Sequence, residues 1–512
     1  MKDQRERAGW LLAVALTVQF VVALDMSVVN VALPDIRDDL GFDPGGLLWV
    51  VNAYALAFGG LLMLGGRLAD IVGRRTTLMA GLAVFGAASL GGGLVGSPGW
   101  LIAARAAQGV GAAALAPVAF TLIAVTFPAG PARARALGLW GMAAAAGGAV
   151  GVLAGGLLTE WAGWRAVLLI NVPIVLAALA AARFSVAPDR REGPPARLDA
   201  AGALLVTGGM TALVLALVRT GTHPWGSATT LTTLTVAAAL LIAFVVVERR
   251  VAQPLLRIGL LRQRSVLVAN LFVLLLFSGQ FAAFYFTSLY TQQILGYGPI
   301  RAGIAFLPFC VGIVIGSLTA TRTVARFGVR TLLVAGGLLG AAGFGWFWLT
   351  VGVDGGFADS ILGPSLVASV GIGLCVVPMG TAATTGVAAR EAGMASGLVN
   401  SSRQIGGSLG LAVLATVASH ATDADGGEGP SALVSGYATA FGVAGALLAV
   451  AALSAALLLP GRTAPMAAGP DPADEEAADQ QAVGPESTGR EAAAPAASSV
   501  VTAPRGGRTR LP

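Results

Sequence analysis

Residues 10–34 read WLLAVALTVQFVVALDMSVVNVALP, an apolar stretch interrupted by a single ionisable side chain, Asp25. A helix of about 20 apolar residues crosses a bilayer core, and this run is long enough. In hydrocarbon every backbone N–H and C=O must be satisfied within its own helix or in a closed barrel. The run lacks the alternation of a barrel strand, so it must be a helix. The residues before it, MKDQRER, give the basic start of a signal peptide. Its length, the acid at position 25 and the absence of a small-residue cleavage pattern predict instead a retained first membrane helix.

Thirteen further runs of the same kind follow, at 47–66, 76–96, 100–127, 136–159, 166–182, 200–218, 227–247, 265–295, 302–321, 331–353, 360–389, 393–419 and 431–460. The composition agrees with fourteen membrane helices. The chain of 512 residues is 56% hydrophobic and 11% charged, whereas a soluble domain carries about 25% charged residues to solvate its surface. Glycine, at 71 residues, suits helices that approach closely in lipid. Cys310 and Cys375 sit in apolar runs without disulfide or metal-ligand spacing and are read as packing residues. After residue 460 the chain turns to Ala, Pro, Gly, Ser and acidic residues, which predicts a disordered tail over 461–512.

Orientation follows from the basic residues. With the N-terminus inside, the inner segments hold 22 basic residues, counting Arg403 at a helix entrance, and the outer loops hold four, Arg37, Arg165, Arg219 and Arg301. Both termini are therefore expected in the cytoplasm, and the pI near 10.0 reflects these loops rather than a nucleic-acid surface.

Two internal echoes suggest a repeat. Gly73-Arg74-Arg75-Thr76 after the second run matches Gly328-Val329-Arg330-Thr331 after the tenth, at an offset of 255. Gly147-Gly148-Ala149-Val150-Gly151 in the fifth matches Gly406-Gly407-Ser408-Leu409-Gly410 in the thirteenth, at 259. These offsets predict a 6 + 2 + 6 plan. A cytoplasmic start at 1–9 precedes a six-helix bundle over 10–184. A linker with two extra helices over 185–264 leads to a second bundle over 265–460.

Several motifs together resemble the major facilitator superfamily, and within it the 14-helix drug:proton antiporters of the QacA/EmrB type. Gly66-Arg-Leu-Ala-Asp70-Ile-Val-Gly73-Arg74-Arg75 is similar to the superfamily's loop between helices 2 and 3, with Ile71 in place of a basic residue. The resemblance makes Gly66, Asp70, Gly73, Arg74 and Arg75 a cytoplasmic latch, in which the glycines permit close approach and Asp70 pairs with Arg74 or caps a helix. Leu24-Asp25-Met-Ser-Val-Val-Asn30 resembles the helix 1 signature of the exporters. Arg105-Ala-Ala-Gln108-Gly109 resembles the helix 4 motif whose arginine is implicated in proton transfer. Trp140-Gly141 with Gly147, Gly148, Gly151, Gly155 and Gly156 resembles the antiporter packing motif of helix 5, although Val152 stands where the family has proline. Trp164-Arg165 with Asn171-Val-Pro173, and Arg403-Gln-Ile-Gly-Gly-Ser-Leu-Gly410, resemble helices 6 and 13 of the exporters.

Asp25 is a costly intramembrane charge of the sort that marks a proton path. It stands about 22 Å up its helix, and Arg105 about 8 Å below the outer face, at a rise of about 1.5 Å per residue. In a core about 30 Å thick the two heights nearly coincide, which allows pairing across a cavity. Asn30, Gln108, Gln280, Phe281 and Tyr285 are candidate cavity residues. Phe277, Phe281, Phe284 and Tyr285 share one helical face, whose aromatic surface suits flat or cationic drugs but equally suits lipid or another helix.

The resemblance implies a cofactor-free secondary transporter of a bacterial cytoplasmic membrane. It would export drugs, antibiotics or other lipophilic or cationic compounds by alternating access, with the proton gradient as energy source and no obligate protein partner or nucleic acid. Val152 keeps open a proton-coupled importer of a small metabolite. No GxxxxGK[ST] loop supports ATP-driven transport, and no nucleophile and base pattern supports an enzyme.

Overall fold

The computed structural model describes residues 2–127, 130–186, 199–220, 223–251, 254–387, 391–427 and 429–460. All fourteen runs are helices: α1 (Ala8–Leu40), α2 (Gly45–Ala69), α3 (Arg74–Leu94), α4 (Pro98–Thr126), α5 (Arg135–Ala162), α6 (Trp164–Ser185), α7 (Ala200–Arg219), α8 (Ala228–Arg250), α9 (Arg264–Ile294), α10 (Pro299–Phe327), α11 (Val329–Thr350), α12 (Phe357–Thr384), α13 (Gly393–Ala424) and α14 (Pro430–Leu458). No strand occurs among the described residues, and the chain is a multi-pass membrane protein. The 461–512 segment and residues 187–198 of the expected linker lie outside the described residues.

Local sequence explains several boundaries. The carboxylate of Asp43 caps the start of α2 by accepting the Gly46 N–H. Gly73 and Gly328 close α2 and α10 with φ of 107° and 82°, a region that strains any side chain. Several boundaries differ from the sequence expectation: α10 runs on to Phe327 and α13 to Ala424, and α12 ends at Thr384. The α1 helix does not stop at Pro34 but continues to Leu40. Pro34 has no N–H for the carbonyl four residues back, that of Asn30, and this carbonyl instead accepts the Ser288 hydroxyl of α9 at 2.7 Å.

Packing pairs recur. The α1 helix packs on α5, α2 on α4 and α3 on α6, and eight helices later α9 packs on α13, α10 on α12 and α11 on α14. The α7 helix packs on α8, and also on α2 and α13. The two glycine clusters serve equivalent contacts. A Cβ on Gly151 would lie 2.7 Å from Leu24 O of α1, one on Gly155 2.6 Å from Val28 O, and one on Gly406 2.5 Å from Leu274 O of α9. The α1 and α9 partners each add a serine: Ser27 donates to Gly147 O at 3.4 Å and Ser278 to Gly406 O at 2.9 Å.

The halves meet at one end of the membrane and, apart from the contact of α2 with α13, part at the other. Near the face away from the N-terminus, a Cβ on Gly156 of α5 would lie 2.5 Å from Pro299 O of α10, and Glu160 accepts the Ile300 N–H at 3.0 Å. Toward the arginine-rich face, α5 is exposed on two sides from Arg135 to Ala146, as is α10 from Val311 to Phe327. The molecule is therefore open on its basic face.

Candidate functional site

The site begins with a charge that lipid cannot solvate. Asp25 of α1 is 0% exposed and Arg105 of α4 is 2% exposed, and the Arg105 Nη1 lies 2.6 Å from the Asp25 Oδ2. The expected pairing is present, but sealed inside the first half rather than across an open cavity. Gln108, one turn along α4 from Arg105, bridges the pair: it donates to Asp25 Oδ1 at 2.9 Å and accepts from Arg105 Nη1 at 2.8 Å. Its amide also donates to Ser89 Oγ of α3 at 2.8 Å. Asn171 of α6 donates to Asp25 Oδ1 at 2.7 Å. The other side of Arg105 is equally provided for, since its Nε donates to Val50 O of α2 at 2.9 Å and its guanidinium lies 4.6 Å from the Tyr54 ring centre.

Five helices thus contribute to one charged cluster. The carboxylate receives donors from Arg105, Gln108 and Asn171. Arg105 is held besides by Val50 O, Gln108 Oε1 and the Tyr54 ring.

Other expected site residues fall elsewhere. Gln108 belongs to this cluster and is 0% exposed, so it does not line a substrate cavity. Asn30 is buried, with its amide turned back to Met26 O. Tyr285 is buried edge-on against Phe286. Gln280 and Phe281 are half-buried, and Phe281 lies against Gly407 of α13. The aromatic face of α9 is divided among helices: Phe284 stacks on Phe306 and meets Phe309 edge-on, both from α10.

In the expected latch, Gly73 has the positive φ the turn requires, and Arg75 donates to Arg183 O at the end of α6 at 2.8 Å. Arg74 also has an interaction partner. The Asp70 side chain lies outside the described residues. Close approach falls to Gly65, where a Cβ would run into the Ala113 backbone, while a Cβ on Gly66 would meet only Pro117 at an ordinary 3.6 Å. Arg67 adds a bond to Pro254 O at 2.9 Å. Of the helix 5 glycines, Gly147, Gly151 and Gly155 face α1 and Gly156 faces α10, whereas Gly148 has open space around it. Gly148 is not a packing residue.

Sequence reasoning missed Ser89 and Tyr54 of the cluster, and two residues more consequential. Asn171, read only as part of a helix 6 motif, holds the carboxylate; the signal was a lone amide in an apolar run two residues before Pro173. Arg403, taken for a helix entrance, lies ten residues inside α13.

Comparisons with known proteins agree with this architecture. The family model described as Major Facilitator Superfamily matches residues 15–411. The cephamycin export protein CmcT of Amycolatopsis lactamdurans is 45% identical over 450 residues, covering 87% of this chain and 92% of the relative. The puromycin resistance protein pur8 of Streptomyces alboniger is 43% identical over 466 residues, covering 89% and 92%. Among solved structures, an inward-facing, unoccupied bacterial homologue of the human lysosomal transporter Spinster aligns with a TM-score of 0.62 at 17% identity, covering 90% of this chain and 99% of that one.

Proposed function

The chain belongs to the major facilitator superfamily, and from that premise we propose that it exports antibiotic-like lipophilic small molecules from a bacterial cytoplasm in exchange for protons. Relatives named for cephamycin export and puromycin resistance support the class of cargo. The basic loops support a cytoplasmic location for both termini and for the open face.

The observation that carries the coupling is the buried Asp25 and Arg105 pair, with amides from Gln108 and Asn171 around it. Protonation of Asp25 would release Arg105 onto its other partners and loosen the tie between α1 and α4. Closure of the basic face and parting of α5 from α10 would follow in a rocking of two six-helix bundles. The recurrence of packing pairs after eight helices supports those bundles, with α7 and α8 as an insertion. The turn at Gly73 and Arg75, tied to α6, would act as the cytoplasmic latch. The proton gradient supplies the energy and no cofactor is needed.

The test is efflux of a lipophilic dye from preloaded cells of an efflux-deficient host. Expression of the chain should speed efflux, and a protonophore should return it to the background rate. Efflux that survives collapse of the proton gradient would remove the coupling. Uptake of metabolites without any efflux would reverse the direction.

A further inference from the structure

Arg403 is the third charged side chain, among the described residues, away from the ends of the spans; the other two are Asp25 and Arg105, which neutralise each other. It stands ten residues into α13, about 15 Å along the helix at 1.5 Å per residue. Its guanidinium lies 4.5 Å from the Phe277 ring centre of α9. Among the described residues no carboxylate lies within ion-pairing distance of it, in contrast to Arg105 and Arg165. An uncompensated charge at this depth is too costly to face lipid.

The exposure pattern of α13 shows what it faces. From the basic face, Gly393, Ser396 and Arg403 are exposed and Asn400 is half-buried, all on one side of the helix. Farther along that same side, Gly407, Gly410, Leu411 and Leu414 are buried. A lipid-facing stripe would stay exposed along the whole span, so this is a recess that enters from the basic face and ends at Arg403. Its flanks lie on both halves of the molecule. On one side Gly406 meets Leu274 of α9; on the other, Gln404 reaches the Met26 sulfur of α1 at 3.6 Å and touches Gly59 of α2. The recess therefore opens between the halves.

We propose that Arg403 receives a carboxylate carried by the transported molecule, so that the preferred cargo is an amphipathic organic anion. The proposal deepens the export reading and rests on it for the identity of the ligand as cargo. The planar guanidinium presents a two-pronged donor that matches a carboxylate. Phe277 holds the guanidinium over its ring by a cation–π contact. Phe277 is buried behind the guanidinium, and the half-buried Phe281 one turn along α9 offers apolar surface for the body of the molecule. A cation in the same recess would meet repulsion, because Asp25 is shut away with its own partner.

The test uses the purified full-length chain in lipid nanodiscs, with 1-pyrenebutyrate and its methyl ester as probes, and takes the ratio of their dissociation constants by fluorescence. Wild type should bind the carboxylate at least tenfold tighter than the ester. The preference should fall to within about threefold of unity in Arg403→Gln and lie between in Arg403→Lys. No carboxylate preference in wild type, or the same preference in wild type and both variants, overturns the proposal. The ratio is internally normalised, and Arg403→Lys keeps the charge, so a poorly folding Arg403→Gln still leaves a decisive comparison. Efflux of 1-pyrenebutyrate itself by wild type is read separately: its absence counts against export, whereas a lost ratio with efflux intact counts against Arg403 alone.

Discussion

The Ser288 hydroxyl of α9 donates at 2.7 Å to the carbonyl of Asn30, the one that Pro34 leaves unserved within α1. Gln292 extends the seam, donating to Val31 O and to Ser288 Oγ, each at 3.0 Å. These bonds hold the two halves together opposite the open face, and the proposed alternating access requires that they break.

Ser288→Ala should therefore favour the opposite conformation. An orphaned buried carbonyl costs about 1–3 kcal/mol, and even the lower figure shifts a two-state ratio about fivefold. Spin labels at the exposed positions Trp161 and Arg301 should show a larger long-distance population in the variant. Identical distance distributions would mean that the seam does not set the balance.

Asp25→Asn should abolish proton-linked efflux while the protein remains folded, since an asparagine side chain can still accept from Gln108 and Asn171. Arg105→Ala leaves a buried carboxylate without its cation, a change of about 3–5 kcal/mol, and should lower both abundance and transport. Arg105→Lys should keep part of each, because lysine retains the charge but not the fork that serves Val50 O and Asp25 together. The measurement is proton release on adding substrate to purified protein; an unchanged signal in Asp25→Asn would exclude Asp25 as the coupling group.

Gly151→Ala should cost about 1–3 kcal/mol by overpacking, because its methyl would lie 2.7 Å from Leu24 O. Gly148→Ala, with nothing within 4 Å of the new methyl, should be neutral. Thermal unfolding of the two purified variants gives the comparison, and equal losses would show that the helix 5 glycines act through backbone flexibility rather than contact.

Arg75 and Arg330 should behave as a matched pair. Arg75 donates to Arg183 O at the end of α6 and Arg330 to Ala456 O near the end of α14, places where a cation also complements the helix dipole. Each alanine substitution should cost no more than about 1 kcal/mol, because both bonds are exposed, and the two should add, since they lie in different halves. Strong non-additivity in thermal midpoints would instead show that the halves unfold in separate steps.

The helices were plain from the sequence because a span needs an uninterrupted apolar run, and only its ends were misjudged, as at Pro34. Asp25 and Arg105 could be placed at one height by counting residues from helix ends. Which way they turn could not be counted: the phase of α6, which aims Asn171 at the carboxylate, is set by packing against α1 and α3. Depth was equally hidden: Gly148 and Gly155 lie two turns apart on nearly the same side of α5, yet only Gly155 meets α1. For Arg403, composition pointed the wrong way. An arginine ten residues into a span looks like a loop charge to any count of basic residues by segment, and only the exposure of its neighbours reveals a recess.

That recess has an electrical consequence. A cargo bearing one negative charge, expelled against one entering proton, moves two elementary charges inward per cycle. Each charge crossing the bilayer is worth about 2.3 kcal/mol per 100 mV, so the membrane potential alone would contribute about 4.6 kcal/mol to each turnover at that voltage. The pump would then run on the potential even where the pH inside equals that outside, and stall when potassium and valinomycin clamp the voltage to zero at equal pH.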